Sequence, residues 1–116
     1  MRTALSLALC MALTLSVPAL GEVLGEVKQT TGTTATIYSN LSNRDLLITI
    51  QAFDGWGGGG SMISIVDADG RTAKMRLPIP ERATIMYSVT VKPKESIQFA
   101  CQAKIDGNCI YSISAH

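Results

Sequence analysis

Histidine is almost missing from this chain of 116 residues: the single one, His116, is the last residue. A zinc site built on paired histidines is thereby excluded, and no serine has an imidazole within a Ser-His-acid relay. A Gly-x-Ser-x-Gly elbow is also lacking. A terminal position predicts that His116 is mobile. The acidic residues Asp54, Asp67, Asp69 and Asp106 fall in turn-like stretches, where Asp bonds its own backbone, and not as a cleft pair of acid and base. Asp67-Ala68-Asp69-Gly70 faintly suggests a calcium loop, but Arg71 and Lys74 follow where further oxygen ligands are needed. No catalytic residue, metal ligand set or cofactor is expected, and the chain is expected not to be an enzyme.

Charge of one sign is lacking too. Ten Lys and Arg stand against nine Asp and Glu, a formal net charge of +1. The basic residues Arg71, Lys74, Arg76 and Arg82 are scattered and form no stripe, so nucleic acid is not an expected partner. A helical apolar stripe is missing throughout. Glycine clusters at Gly55-Trp56-Gly57-Gly58-Gly59-Gly60, but a strand pattern follows it, with no Lys-Ser or Lys-Thr pair opening a helix, so it is not a phosphate loop.

What is present begins with an export signal. Arg2 precedes an apolar run over residues 4–17, interrupted only by Ser6, Thr14 and Ser16, and Pro18-Ala19-Leu20-Gly21 follows. Residues 1–21 read as a signal peptide cut after Ala19 or Gly21. The run is shorter than the ~20 apolar residues of a membrane span and ends in Pro and Gly, so no stable span is expected after cleavage. Cys10 lies inside the apolar run and not at a cut, which argues against a lipid anchor. Residues 22–116 read as a single β domain in a secreted or periplasmic protein.

Two cysteines remain, Cys101 and Cys109, in a compartment where disulfides persist. Ile97, Phe99 and Cys101 share one parity, as do Cys109, Tyr111 and Ile113, with a turn pattern between. A hairpin that places Cys101 opposite Cys109 also pairs Phe99 with Tyr111 and Ile97 with Ile113, so the expectation is a structural disulfide in a C-terminal hairpin. A redox pair would favour a Cys-x-x-Cys at a helix start.

Alternation with period two recurs along the chain. Residues 46–53 and 83–91 read as confident strands, 61–66 and 71–77 as a hairpin around Asp67-Ala68-Asp69-Gly70, and 34–38 as a short strand. In that hairpin a three-residue loop would set Gly70 in the left-handed conformation, Ile65 opposite Ala73 and Ile63 opposite Met75. Pro78-Ile79-Pro80 should end its strand. Residues 22–28 suit an edge strand. The turn at Lys92-Pro93-Lys94-Glu95 fits either a hairpin or a crossing between sheets. About seven short strands point to a small antiparallel β-sandwich, immunoglobulin-like or related, with a small barrel as the alternative.

Three function classes fit. The first is an exported non-catalytic binding module for a protein or carbohydrate, with Phe53 and Trp56 as candidate ligand contacts on a loop carried by a rigid scaffold. The second is a structural subunit of a surface or envelope assembly that self-associates through an open strand edge. The third is a small secreted inhibitor or membrane-active toxin. Asn40-Leu41-Ser42 has the form of an N-glycan acceptor in a turn.

Overall fold

The computed structural model describes residues 22–28, 34–54, 60–80, 83–102 and 108–116. These residues form eight strands: β1 (Glu22–Lys28), β2 (Ala35–Ser39), β3 (Leu46–Phe53), β4 (Ser61–Val66), β5 (Ala73–Ile79), β6 (Thr84–Val91), β7 (Ser96–Ala100) and β8 (Asn108–Ala115). They are arranged as two four-stranded antiparallel sheets in the orders β1-β8-β3-β6 and β2-β7-β4-β5. The sheets are called A and B below. Among the described strands, every connection crosses from one sheet to the other except β4 to β5. Eight strands with these neighbours make a double-sheet jelly roll.

The sandwich is the expected class, but its strand order differs from the immunoglobulin arrangement, in which consecutive strands often share a sheet.

Alternation explains the core. On β3, Leu46, Ile48, Ile50 and Ala52 are buried, while Leu47, Thr49, Gln51 and Phe53 face away from the second sheet. Ile63 and Ile65 of β4, Ile97 and Phe99 of β7, and Ile113 of β8 complete the dry layer. Branched side chains are stiff at χ1 and pack readily on a pleated surface, which suits this Ile-rich interior.

The Cys101–Cys109 disulfide is formed, with its Cα atoms 5.9 Å apart. It does not close a hairpin. β7 pairs with β2 and β4, whereas β8 pairs with β1 and β3. The bond therefore ties one sheet to the other across the sandwich. Phe99 and Tyr111 do meet, with ring centroids 6.2 Å apart and planes tilted by 53°, but they meet across the core and not side by side. Alternation states which residues point inward and does not say whether two inward residues are neighbours in one sheet or opposites in two.

Three other expectations are corrected. The β4–β5 hairpin forms and Gly70 has φ +75°, but Ile65 lies opposite Met75 and Ile63 opposite Leu77. The loop is longer than three residues because Asp69 accepts hydrogen bonds from the Arg71 and Thr72 backbone amides, and Asp67 N–H donates to Thr72 C=O. A register break between Ile65 and Val66 absorbs the extra residue. Pro78 does not end β5, which runs on to Ile79. β5 lies at a sheet edge, where a proline can turn its missing donor outward. His116 is held in place: its N–H donates to Leu47 C=O at 2.9 Å and its Nε2 lies 3.0 Å from Thr49 Oγ1.

The crossing between β6 and β7 is tied to the segment after β2 by Asn40. Asn40 is fully buried. Its Nδ2 donates to Val91 C=O and to Arg44 C=O, each at 2.8 Å, and its Oδ1 accepts from Ser42 N–H and Ser42 Oγ. Asn40 N–H donates to Glu95 C=O, and Asn40 C=O accepts from Lys94 N–H. Every polar group of the residue is satisfied, as burial requires. An acceptor nitrogen with both hydrogens engaged inside the fold is closed to glycosylation, so the Asn40 acceptor reading is set aside.

Candidate functional site

The outward side of sheet A is built by the residues that alternation sends away from the core. Phe53 lies opposite Ile110 on β8 and opposite Thr84 on β6; Gln51 lies opposite Ser112 and Met86; Thr49 lies opposite Ser114 and Ser88. Leu24 on β1 lies opposite Ser112. None of the outward positions on β3, β6 and β8 carries a charge. Large apolar side chains stand exposed there: Leu24 at 74%, Met86 at 64%, Leu47 and Ile110 each at 47%. A shallow apolar groove of about 190 Å³ runs between Leu24, Phe53, Thr84 and Ile110. Among the described residues, charge enters this face only from β1, where Glu26 lies opposite Ile110 and Glu22 reaches Ser112. Scattered apolar residues on a surface need no explanation, but an apolar groove whose other strands bring no charge does.

Toward the other end of the same face the surface is hydroxylic. Thr49 Oγ1 lies 3.0 Å from Ser88 Oγ and 3.0 Å from the His116 ring, and Ser112 Oγ donates to Glu22 at 2.7 Å. A serine, a threonine and an imidazole thus stand in a row. Among the described residues no carboxylate bonds the His116 ring, the third member a relay of this kind uses.

The sequence-derived site residues separate. Phe53 lines the groove, half-buried at the end of β3. Trp56 lies outside the described residues, as do the signal segment 1–21 and Cys10. Cys101 and Cys109 are both buried, and Cys109 Sγ lies 3.7 Å from Asp54 Oδ1 and 3.8 Å from Ser61 Oγ. Ser61 Oγ also accepts from Gln102 N–H at 2.8 Å, anchoring the segment that leaves Cys101.

The opposite end of the sandwich carries the Lys74–Glu95 ion pair. Burial pushes the Glu95 carboxyl up. The Lys74 ammonium at 2.7 Å and the Lys92 N–H at 2.9 Å outweigh that and hold it below its ordinary value. Asp69, fully exposed, is held low by the amides of Arg71 and Thr72 and by the Thr72 hydroxyl. Both its oxygens serve the turn, which is how Asp stabilises turns. Among the described residues no group of three or more His, Cys, Asp or Glu could hold a metal ion.

Sequence reasoning missed three structural residues. Lys74 and Glu95 are far apart in the chain and nothing local marks their pairing. Gly25 lies directly opposite Tyr111, and a Cβ there would overlap the Tyr111 ring. An aromatic ring laid over a glycine on the neighbouring strand is a recognised way to fill the gap a glycine leaves.

No protein-family model matches the chain, and no curated protein matches it. One solved structure is similar across 88% of this chain and 97% of its own, with 19% identity and a TM-score of 0.56. It is a protein of Bacillus endospore appendages, described as a novel family of disulfide-linked pili. At this identity the likeness concerns the fold: an all-β sandwich with two antiparallel sheets.

Proposed function

We propose that the chain is an exported, non-catalytic structural subunit of a surface or envelope assembly. The observation that carries this reading is the uncharged outward side of β3, β6 and β8, with Leu24, Met86 and Ile110 exposed on and beside it. Charged residues are depleted where partner surfaces are buried, and a soluble monomer gains nothing by displaying such a patch. The fold likeness to a pilus protein supports the same reading, as does a disulfide suited to an oxidising exterior. The partner is protein, and a second copy of the chain is the simplest one.

The experiment is recovery of the chain from the surface of the cells that make it. A repeating high-mass assembly with the chain as a stoichiometric component is the expected result. Recovery only as a free monomer in the medium would overturn the proposal.

The apolar groove beside Phe53 favours a second reading, a binding module for a protein or carbohydrate ligand. Titration of candidate glycans against the fluorescence of the lone tryptophan, with Phe53→Ala as control, separates the two. A saturable response lost in the variant would favour the binding module.

A further inference from the structure

A sheet edge is a row of unpaired N–H and C=O groups, and proteins that stay monomeric blunt such edges with charge, proline, bulges or brevity. Among the described residues the two sheets have four edges, and three of them are blunted. β5 carries Lys74, Arg76 and Pro78. β2 has five residues and a register break between Thr36 and Tyr38. β1 carries Glu22, Glu26 and Lys28, with Gly25 at its centre. β6 has none of these devices. Its eight residues, Thr84–Val91, contain no charge, no proline and no glycine. They pair with β3 in unbroken register along their whole length, and β6 is the outermost strand of sheet A.

We propose that two copies of the chain join through β6, antiparallel about a two-fold axis, so that their A sheets become one continuous sheet. This rests on the structural-subunit reading and names the contact within it. A second copy is favoured over β1 as the mate because of charge. In a β6–β6 pair centred on Tyr87 the outward residues Thr84, Met86, Ser88 and Thr90 of one copy lie opposite the same four of the other, the inward Ile85 lies opposite Val89 and Tyr87 opposite Tyr87, and Val91 meets the uncharged Ala83. An isologous contact needs a self-complementary surface, and a strand without charges meets that need because no like charges come to lie opposite each other. Pairing with β1 would set Glu22, Glu26 and Lys28 against an uncharged strand with no counter-charge for any of them. A two-fold axis also gives the antiparallel ladder, the more stable of the two kinds. The product extends the uncharged outward side across both copies.

The test uses the purified full-length exported product in sedimentation velocity over a wide concentration range. A reversible monomer–dimer equilibrium is expected for the natural chain. Ser88→Lys and Met86→Lys, both on the outward side of β6, should abolish the dimer and leave the unfolding midpoint measured at monomeric dilution close to that of the natural chain. Gln98→Lys, on the outward side of β7 in sheet B, should leave the dimer intact. A natural chain that sediments as a monomer throughout would overturn the proposal, as would a dimer that survives both β6 substitutions.

Should the lysine variants not fold, a spin label on Ser88→Cys reads the same contact. Dipolar broadening that disappears on dilution with unlabelled protein is expected there and not for a label on Gln98→Cys. Broadening at neither position overturns the β6 contact. An assembly recovered from cells that contains the lysine variants at natural levels would defeat the β6 contact alone and leave the structural-subunit reading standing.

Discussion

The two sheets of this sandwich share a core and differ at their margins. Both outer strands of sheet B are closed to further pairing: β5 by Lys74, Arg76 and Pro78, and β2 by brevity and a register break. Sheet A has a charged edge at β1, whose Glu22 and Glu26 border β8, and an unprotected one at β6, and the outward residues of β8, β3 and β6 themselves are uncharged. Fold stability does not require this difference, because edges and outward faces add little to a core. The proposed partner contact rests on that difference.

Substitutions can break or sharpen that contrast. The largest effect is expected in the shared core. Phe99→Ala, at a fully buried site, should cost about 3–5 kcal/mol in urea unfolding. Met86→Ala, on the exposed side of β6, should stay within about 0.5 kcal/mol for the monomer and weaken self-association. A comparable loss of monomer stability in the two would break the distinction between core and contact surface.

Next in size is the covalent tie between the sheets. The Cys101–Cys109 loop has a sequence separation of 8, for which the chain-entropy model gives about 2.5 kcal/mol. The double variant Cys101→Ala and Cys109→Ala should lose that amount in denaturant unfolding and keep its β spectrum.

Asn40→Ala comes third. It leaves the buried Val91 C=O without its side-chain donor and removes one of the two donors to Arg44 C=O, and about 1–3 kcal/mol should be lost by the same measurement. Modification of Asn40 in the native protein, detected by intact mass, would contradict its role as a buried tie.

The smallest effect is electrostatic and confined to the charged margin of sheet B. Glu95 is held below its ordinary carboxylate value of 4.5, so the folded state binds its proton less readily than the unfolded chain does. Its contribution to stability is present above pH 4.5 and is lost as pH falls through the lowered folded value. Lys74→Met should flatten this part of the pH–stability curve, measured by thermal unfolding from neutral pH downward, with no change in self-association. An effect of Lys74→Met on the dimer would blur the contrast between the sheets.

The strands themselves were legible in the sequence, since period-two alternation survives wherever one side of a strand is dry. Residues 46–53 and 61–66 were bounded as they stand in β3 and β4. The disulfide was legible as well. The pairing of β7 with β8 was misread because facing across a sandwich and lying side by side both place two residues in one core. Phe99 with Tyr111 and Ile97 with Ile113 satisfy the inward pattern in either arrangement. The β4–β5 register was misjudged because the Asp69 carboxylate bonds Arg71 and Thr72 and lengthens the loop, a contact within the turn that hydrophobic patterning does not record.

At the candidate site, Phe53 was singled out from its place on the half-polar side of β3 and lines the groove, whereas Leu24, Met86 and Ile110 were not singled out. Singly each is an ordinary strand residue, and only the strand order β1-β8-β3-β6 brings them onto one surface. The open β6 edge was hidden for the same reason, because Thr84–Val91 reads alike in a central strand and an outer one.

Hydrogen exchange as a function of protein concentration reads the proposed contact at the level of single amides. Alternate amides of Thr84–Val91 should exchange quickly in dilute protein and become protected as concentration rises, while those of Ala73–Ile79 keep one rate throughout. Protection of β6 amides that does not depend on concentration, or that rises equally in β5, would contradict the claim that sheet A keeps one edge open for a second copy.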